Sequence, residues 1–179
     1  MEPILEQIRA TFDCGIWYPV VSSMLMLPDA CGAAEFWGQA KKPRQRYVEW
    51  YDKWVHPNFS AGPFSFDGSV VYIVRNAMMH ESTGFTRGQH GFDRVLFMPP
   101  NPENNTFNFC LHNFRGEFEE TAVTVDILLM FEAIEAGVLS WLAEVRGDAD
   151  KRREDAIKMI MQYHPDGRPP YFIGIPYIA

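Results

Sequence analysis

GSVVYIVRNAMMHES, residues 68–82, is the stretch on which the fold turns. Val70, Val71, Val74, Ala77 and Met78 recur at spacings of three and four, the period of a helix with one face in a core. At about 100° per residue, Tyr72, Arg75, Asn76, Ser69 and His80 share one arc of roughly 140° on the other side. Met79 is the apolar intruder on that polar arc. Asp67 stands where an N-cap belongs, so the spacing predicts a helix from Asp67 to about Glu81. A strand over 69–80 would scatter the polar group to both faces and remove the fold with it.

The same period extends outward. Pro3 suits the first turn of a helix whose apolar side is Ile4, Leu5, Ile8 and Phe12. A second helix starts near Trp17 and should kink or restart at Pro28, which lacks the N–H donor. A third, from Arg44 to Val55, carries Tyr47, Trp50, Tyr51 and Trp54 at spacings of three and four, which reads as core or as a base-stacking face. PNFSAGPFSFDG (57–68) is a loop. Asp93–Met98 and Thr106–Phe114 flank the polar turn PPNPENN, and they read as a two-stranded antiparallel hairpin over about 93–114. From about Thr121 to Val145 a long helix is expected. Its residues Ile127, Phe131, Ile134, Val138, Trp141 and Val145 form a coiled-coil-like seam that suits a bundle or a subunit interface. A last helix near Asp150–Tyr163 precedes an extended tail over about 164–179. The expectation is one mainly α domain spanning 1–179: a bundle of four to six helices with one inserted hairpin.

The composition fits a single globular domain. Of 179 residues 47% are hydrophobic, and a chain of this size buries about 70% of its unfolded surface, so it needs no disulfide or metal staple. The formal charge of -7 argues against a general nucleic-acid coat protein, though not against an enzyme that meets a few phosphates with local arginines. Cys14, Cys31 and Cys110 show no CxxC spacing. With no signal peptide and no apolar run of about 20 residues, a cytoplasmic, non-membrane protein is expected. His56, His90, His112 and His164 are scattered without ligand spacing. Neither GxGxxG nor a P-loop occurs, so no metal and no cofactor are expected. Cys31 reads as a buried core thiol. Asp29 reads as a helix cap and Glu35 as solvated.

Arg, Asn and His on one helical stripe have a bland reading, the wet face of an amphipathic helix, and a chemical one. A histidine titrates near neutrality and serves as acid or base. An arginine offers a phosphate two parallel N–H donors. Arg75-Asn76-Ala77-Met78-Met79-His80 resembles the Arg-x4-His motif of the HEPN superfamily. LPDACGAAEFWG (27–38), RYVEWYDKWV (46–55) and VVYIVRNAMMHES (70–82) resemble a bacterial HEPN-like family in order and spacing, over roughly residues 15–145. The resemblance implies a HEPN-like helical bundle that dimerises and brings two Arg75–His80 pairs to one cleft. It implies a metal-independent endoribonuclease in a defence or toxin–antitoxin setting, with RNA as substrate and an antitoxin or nucleotidyltransferase as partner. Arg75, His80 and Asn76 are then the catalytic group, with Tyr72, Ser69, Glu81 and Arg87 as substrate contacts. The alternative is a non-catalytic HEPN-like module that binds nucleotide, RNA or a protein partner. Lys41, Lys42, Arg44 and Arg46 form the main basic cluster, which either tracks a phosphate backbone or is a solvated loop.

Overall fold

The computed structural model describes residues 1–59, 66–81, 83–86, 90–100, 111–115, 119–160, 163–164, 166 and 177–178. Among them are six α-helices: α1 (Glu2–Asp13), α2 (Trp17–Glu35), α3 (Pro43–Trp54), α4 (Gly68–Asn76), α5 (Ile127–Gly147) and α6 (Arg152–Lys158). The chain is mainly helical, with a small mixed sheet of β1 (Arg94–Met98), β2 (Leu111–Arg115) and β3 (Glu119–Asp126). A two-residue pair, β4 (Tyr163–His164) with β5 (Tyr177–Ile178), belongs to the tail.

The centre of the bundle is α3. Tyr47, Trp50 and Tyr51 are fully buried, which settles the aromatic stripe as core. The Tyr47 hydroxyl donates to the Leu25 carbonyl at 3.0 Å, and the Trp50 and Trp141 rings meet edge to face at 5.9 Å. Three neighbours reach the α3 backbone through glycine. A Cβ on Gly32 of α2 would lie 2.7 Å from the Arg46 carbonyl oxygen, one on Gly68 of α4 2.8 Å from that of Val48, and one on Gly137 of α5 2.7 Å from that of Trp54. No real Cβ tolerates such distances, so three helices pack against α3 only because those positions carry no side chain.

The helix α2 runs unbroken through Pro28, so of the expected kink or restart, the restart does not occur. An interior proline costs about 3 kcal/mol. Val20, Val21, Met24, Leu25 and Leu27 are all buried on this helix, each contributing roughly 1.5–3 kcal/mol, so packing wins.

The β region departs most from expectation. β1 and β2 do not pair as a hairpin; both bond to β3, which lies between them in the order β1-β3-β2. β3 runs antiparallel to β2 and parallel to β1, with Val95 opposite Val123. Of the expected second strand, residues 106–110 lie outside the described residues. Thr121–Asp126, expected as the first turns of the long helix, is strand. Thr121, Val123, Thr124 and Val125 are β-branched and suit a pleated, half-buried surface. The helix begins one residue after Asp126, whose carboxylate accepts from the Leu128 and Leu129 amides at 2.8 and 3.1 Å. The seam from Ile127 to Val145 is buried at every expected position against the protein's own core. It is therefore not a subunit interface. The last helix is shorter than expected, ending at Lys158. No helix among the described residues is long and apolar enough to cross a membrane.

Candidate functional site

Asp67 caps α4 as expected, accepting from the Ser69 and Val70 amides at 3.0 and 3.1 Å. The helix keeps α geometry only to Asn76. Ala77–Glu81 form a single π-helical turn, closed where the Thr83 amide donates to the Ala77 carbonyl at 3.2 Å. Such turns are rare and recur at functional sites. A wider turn rotates each residue by less than an α-turn does, so His80 swings back toward the side of Arg75. Met79, His80 and Glu81 stand exposed on it.

Tyr72, Arg75, Asn76, His80 and Glu81 all line one cleft of about 400 Å³, together with Phe85 and Thr86. The small sheet holds the last two in place. The Thr86 amide donates to the Asp93 carbonyl at 2.8 Å and the Val95 amide to the Gly84 carbonyl at 2.9 Å, while the Thr86 hydroxyl donates to the Phe92 carbonyl. The Arg94 guanidinium lies over the Phe85 ring at 4.0 Å and pairs with Glu120 of β3. The segment that faces the polar stripe of α4 is thus fastened to the sheet edge.

Arg75 is held on two sides. One guanidinium nitrogen is 2.6 Å from Asp29 Oδ2 on α2, and another donates to Asn76 Oδ1 at 2.9 Å. Its Nε is buried with no hydrogen-bond partner among the described residues. Asp29 is therefore no cap; it lies inside α2 as the counter-ion of Arg75. Burial pushes its carboxyl above the ordinary value, and the Arg75 charge, then its hydrogen bond, oppose that. His80 has no hydrogen-bond or ion-pair partner among the described residues and is free to meet a ligand.

Two expectations fall elsewhere, and a third rests on a residue that is not described. Ser69 is absorbed by the cap, its hydroxyl donating to Asp67 Oδ1 at 2.7 Å, and it lines a neighbouring groove instead of the cleft. Arg87 lies outside the described residues. Glu35 is not solvated: it accepts from Trp141 Nε1 at 2.7 Å and from Arg153 at 3.0 Å. Cys31 is fully buried, and burial pushes its thiol up, away from nucleophilic use. Among the described residues no three His, Cys, Asp or Glu side chains converge as a metal-binding group. Phe85 and Thr86 were not foreseen as lining residues, and Asp29 is the charged member of the site that sequence reasoning missed. Its partner sits on another helix, and no local pattern announces a contact of that kind.

No protein-family model, curated protein or solved structure matches this chain.

Proposed function

We propose that the protein is an endoribonuclease that needs no metal ion and cleaves single-stranded RNA at Arg75, Asn76 and His80. The observation that carries the reading is the single cleft in which these three side chains meet Tyr72 and Glu81. In the reaction the ribose 2′-oxygen attacks the adjacent phosphorus, forming the O2′–P bond as the P–O5′ bond breaks. A base takes the 2′-hydroxyl proton and an acid delivers one to the departing 5′-oxygen. The products are a cyclic phosphate and a 5′-hydroxyl. Arg75 steadies the charge that builds on the phosphoryl oxygens, and Asn76 orients the guanidinium through its side-chain oxygen.

One protomer brings one histidine to the cleft, whereas the chemistry uses a base and an acid. A second copy of the chain, related by a two-fold axis, supplies the other. Exposed apolar side chains around the site support such a pairing: Met79 beside His80, Phe85 in the cleft lining, and Met26 one turn before Asp29 on α2. The cytoplasm is the compartment proposed, since Cys14 and Cys31 are free thiols. An antitoxin or nucleotidyltransferase, the partner that the HEPN resemblance implies, would be encoded next to this chain.

The second reading is a HEPN-like module that binds nucleotide, RNA or protein without cleavage. The Asp29–Arg75 ion pair favours it, because a guanidinium already neutralised is a weaker phosphate clamp.

Incubation with single-stranded RNA in excess EDTA separates the two. The nuclease reading expects RNA to be cut and DNA left intact, since only RNA carries the 2′-hydroxyl. His80→Ala and Arg75→Ala should each abolish cutting, Arg75→Lys should restore it in part, and Asn76→Ala should weaken it less. His80→Ala should leave thermal stability within about 1 kcal/mol, as for an exposed side chain. Cutting that is absent from the wild type, with partner affinity lost in the same variants, would leave the binding module standing.

A further inference from the structure

In this acidic chain nearly every described cation is already matched. Each described Lys or Arg side chain outside one short stretch forms an ion pair with a carboxylate. The exceptions are Lys42, Arg44 and Arg46, which fall within one turn at the start of α3. Lys42 and Arg44 are exposed. Their neighbour Lys41 is not part of the group, because it pairs with Glu49 and lies over the Phe36 ring at 3.9 Å.

The unmatched charge sits beside the cleft. The Arg44 guanidinium lies over the Tyr72 ring, 5.9 Å from its centroid, so a base stacking there would displace it toward the adjoining phosphate; Tyr72 is a wall of the cleft. Arg46 is close enough to Asp29, the counter-ion of Arg75, for its charge to be felt there. Lys42 and Arg44 border a second groove of about 340 Å³ with Gln45, Val48 and Ser69; its exposed lining is almost wholly carbon, so the two side chains line it with their stems and hold their charges at its rim. Its carboxylate, Glu49, is occupied by Lys41 and by Gln45, which donates to it at 2.9 Å. Ser69 and Tyr72 are three residues apart on α4, so groove and cleft open on successive turns, about 5 Å apart along the axis.

Resting on the endoribonuclease reading, we propose that Lys42 and Arg44 form a backbone-phosphate subsite for single-stranded RNA, with Tyr72 as the platform on which the intervening base stacks. The strand enters along the start of α3, passes Tyr72 and reaches the reacting phosphate at Arg75 and His80. Compact point charge and planar fork meet successive phosphates. A tyrosine half-buried against Tyr47, edge to face at 5.2 Å, gives a fixed ring for a base of any identity.

The test uses the full chain carrying His80→Ala, so that RNA is bound and not cut. Binding of a fluorescein-labelled 12-nucleotide single-stranded RNA is followed by anisotropy across a series of salt concentrations. Adding Lys42→Gln and Arg44→Gln should weaken binding about tenfold and lower the slope of log affinity against log salt by about 1.4, the share of two phosphate contacts on a single strand. Arg44→Lys should keep most of the slope, which separates lost charge from misfolding. Lys151→Gln with Lys158→Gln, two charges removed on α6, should change neither quantity. An unchanged slope and affinity in the Lys42/Arg44 variant, with binding still lost in Arg75→Ala, would overturn the subsite and leave the nuclease reading intact. If millimolar inorganic phosphate displaces a dinucleotide and the 12-mer equally well, the groove is a simple anion site and the strand assignment falls. If the His80→Ala protein binds no RNA at any salt concentration, both readings fall together.

Discussion

Asp29 decides how available Arg75 is. An ion pair at 2.6 Å makes the carboxylate a competitor of any phosphate for the same guanidinium. Burial raises the Asp29 carboxyl above its ordinary value, more strongly than Arg75 and, less, Arg46 lower it. A raised acid is protonated more in the folded chain than in the unfolded one. Its ionisation therefore costs stability as pH rises from the ordinary aspartate range through the raised value. Below that window Asp29 is neutral and releases Arg75. In the His80→Ala background, RNA affinity should increase as pH falls through the window, and Asp29→Asn should be tighter above it and lose the dependence. A pH profile with the same slope in both proteins would remove Asp29 from the site. At this scale the sequence is legible for side chains that one helix carries, since Tyr72, Arg75, Asn76, His80 and Glu81 do share a cleft. It misleads at Ser69, because a helical wheel assigns a direction and takes no account of a cap that captures the hydroxyl. Asp29 was illegible because only packing brings α2 to α4.

Among the elements, α3 is the one on which the others are fitted. At Gly137→Ala the helix propensity of α5 improves by up to about 1 kcal/mol. The new Cβ would press on the Trp54 carbonyl oxygen at 2.7 Å and on Val55 at 3.0 Å. Backbone cannot yield as a flexible side chain does, and overpacking of this kind costs typically about 1–3 kcal/mol. A net loss of stability is expected, read as a lower thermal midpoint. A higher midpoint would mean that α5 moves away from α3 freely. Helix positions were well marked in the sequence by the cap at Asp67 and by apolar spacing in α3. The strand β3 was missed because its run from Thr121 to Val125 joins the apolar period of α5 without a break, and the cap at Asp126 was the overlooked boundary. Strand order could not be read at all: which strand lies in the middle depends on pairing across the sheet, and β1 reaches β3 in parallel.

For the molecule as a whole, charge and apolar surface point to the same side. The unmatched cations, the cleft and the exposed Met79 and Phe85 all surround α4 and the start of α3. If two copies meet there, sedimentation at micromolar concentration should give about twice 20.6 kDa. Met79→Glu should shift the distribution toward the single chain, because a charge placed in an apolar contact must be desolvated. A strict monomer that still cuts RNA would remove the shared-site geometry, and each protomer would then have to find both its acid and its base alone.

The three glycine contacts around α3 also divide the protein in time. Helices pressed backbone to backbone cannot separate by small degrees, so the amides in the buried middle of α3, around Trp50 and Tyr51, are expected to exchange with solvent only when the bundle opens. The π-turn is under no such constraint. It stands exposed at Met79, His80 and Glu81 and is closed by the Thr83 amide, and it can unwind locally while the core stays shut. Opening of the cleft and loss of the fold are thus separate events, each with its own rate. If the cleft takes RNA as proposed, the π-turn is the part of its wall that can adjust to a strand while the rest of the chain stays undisturbed.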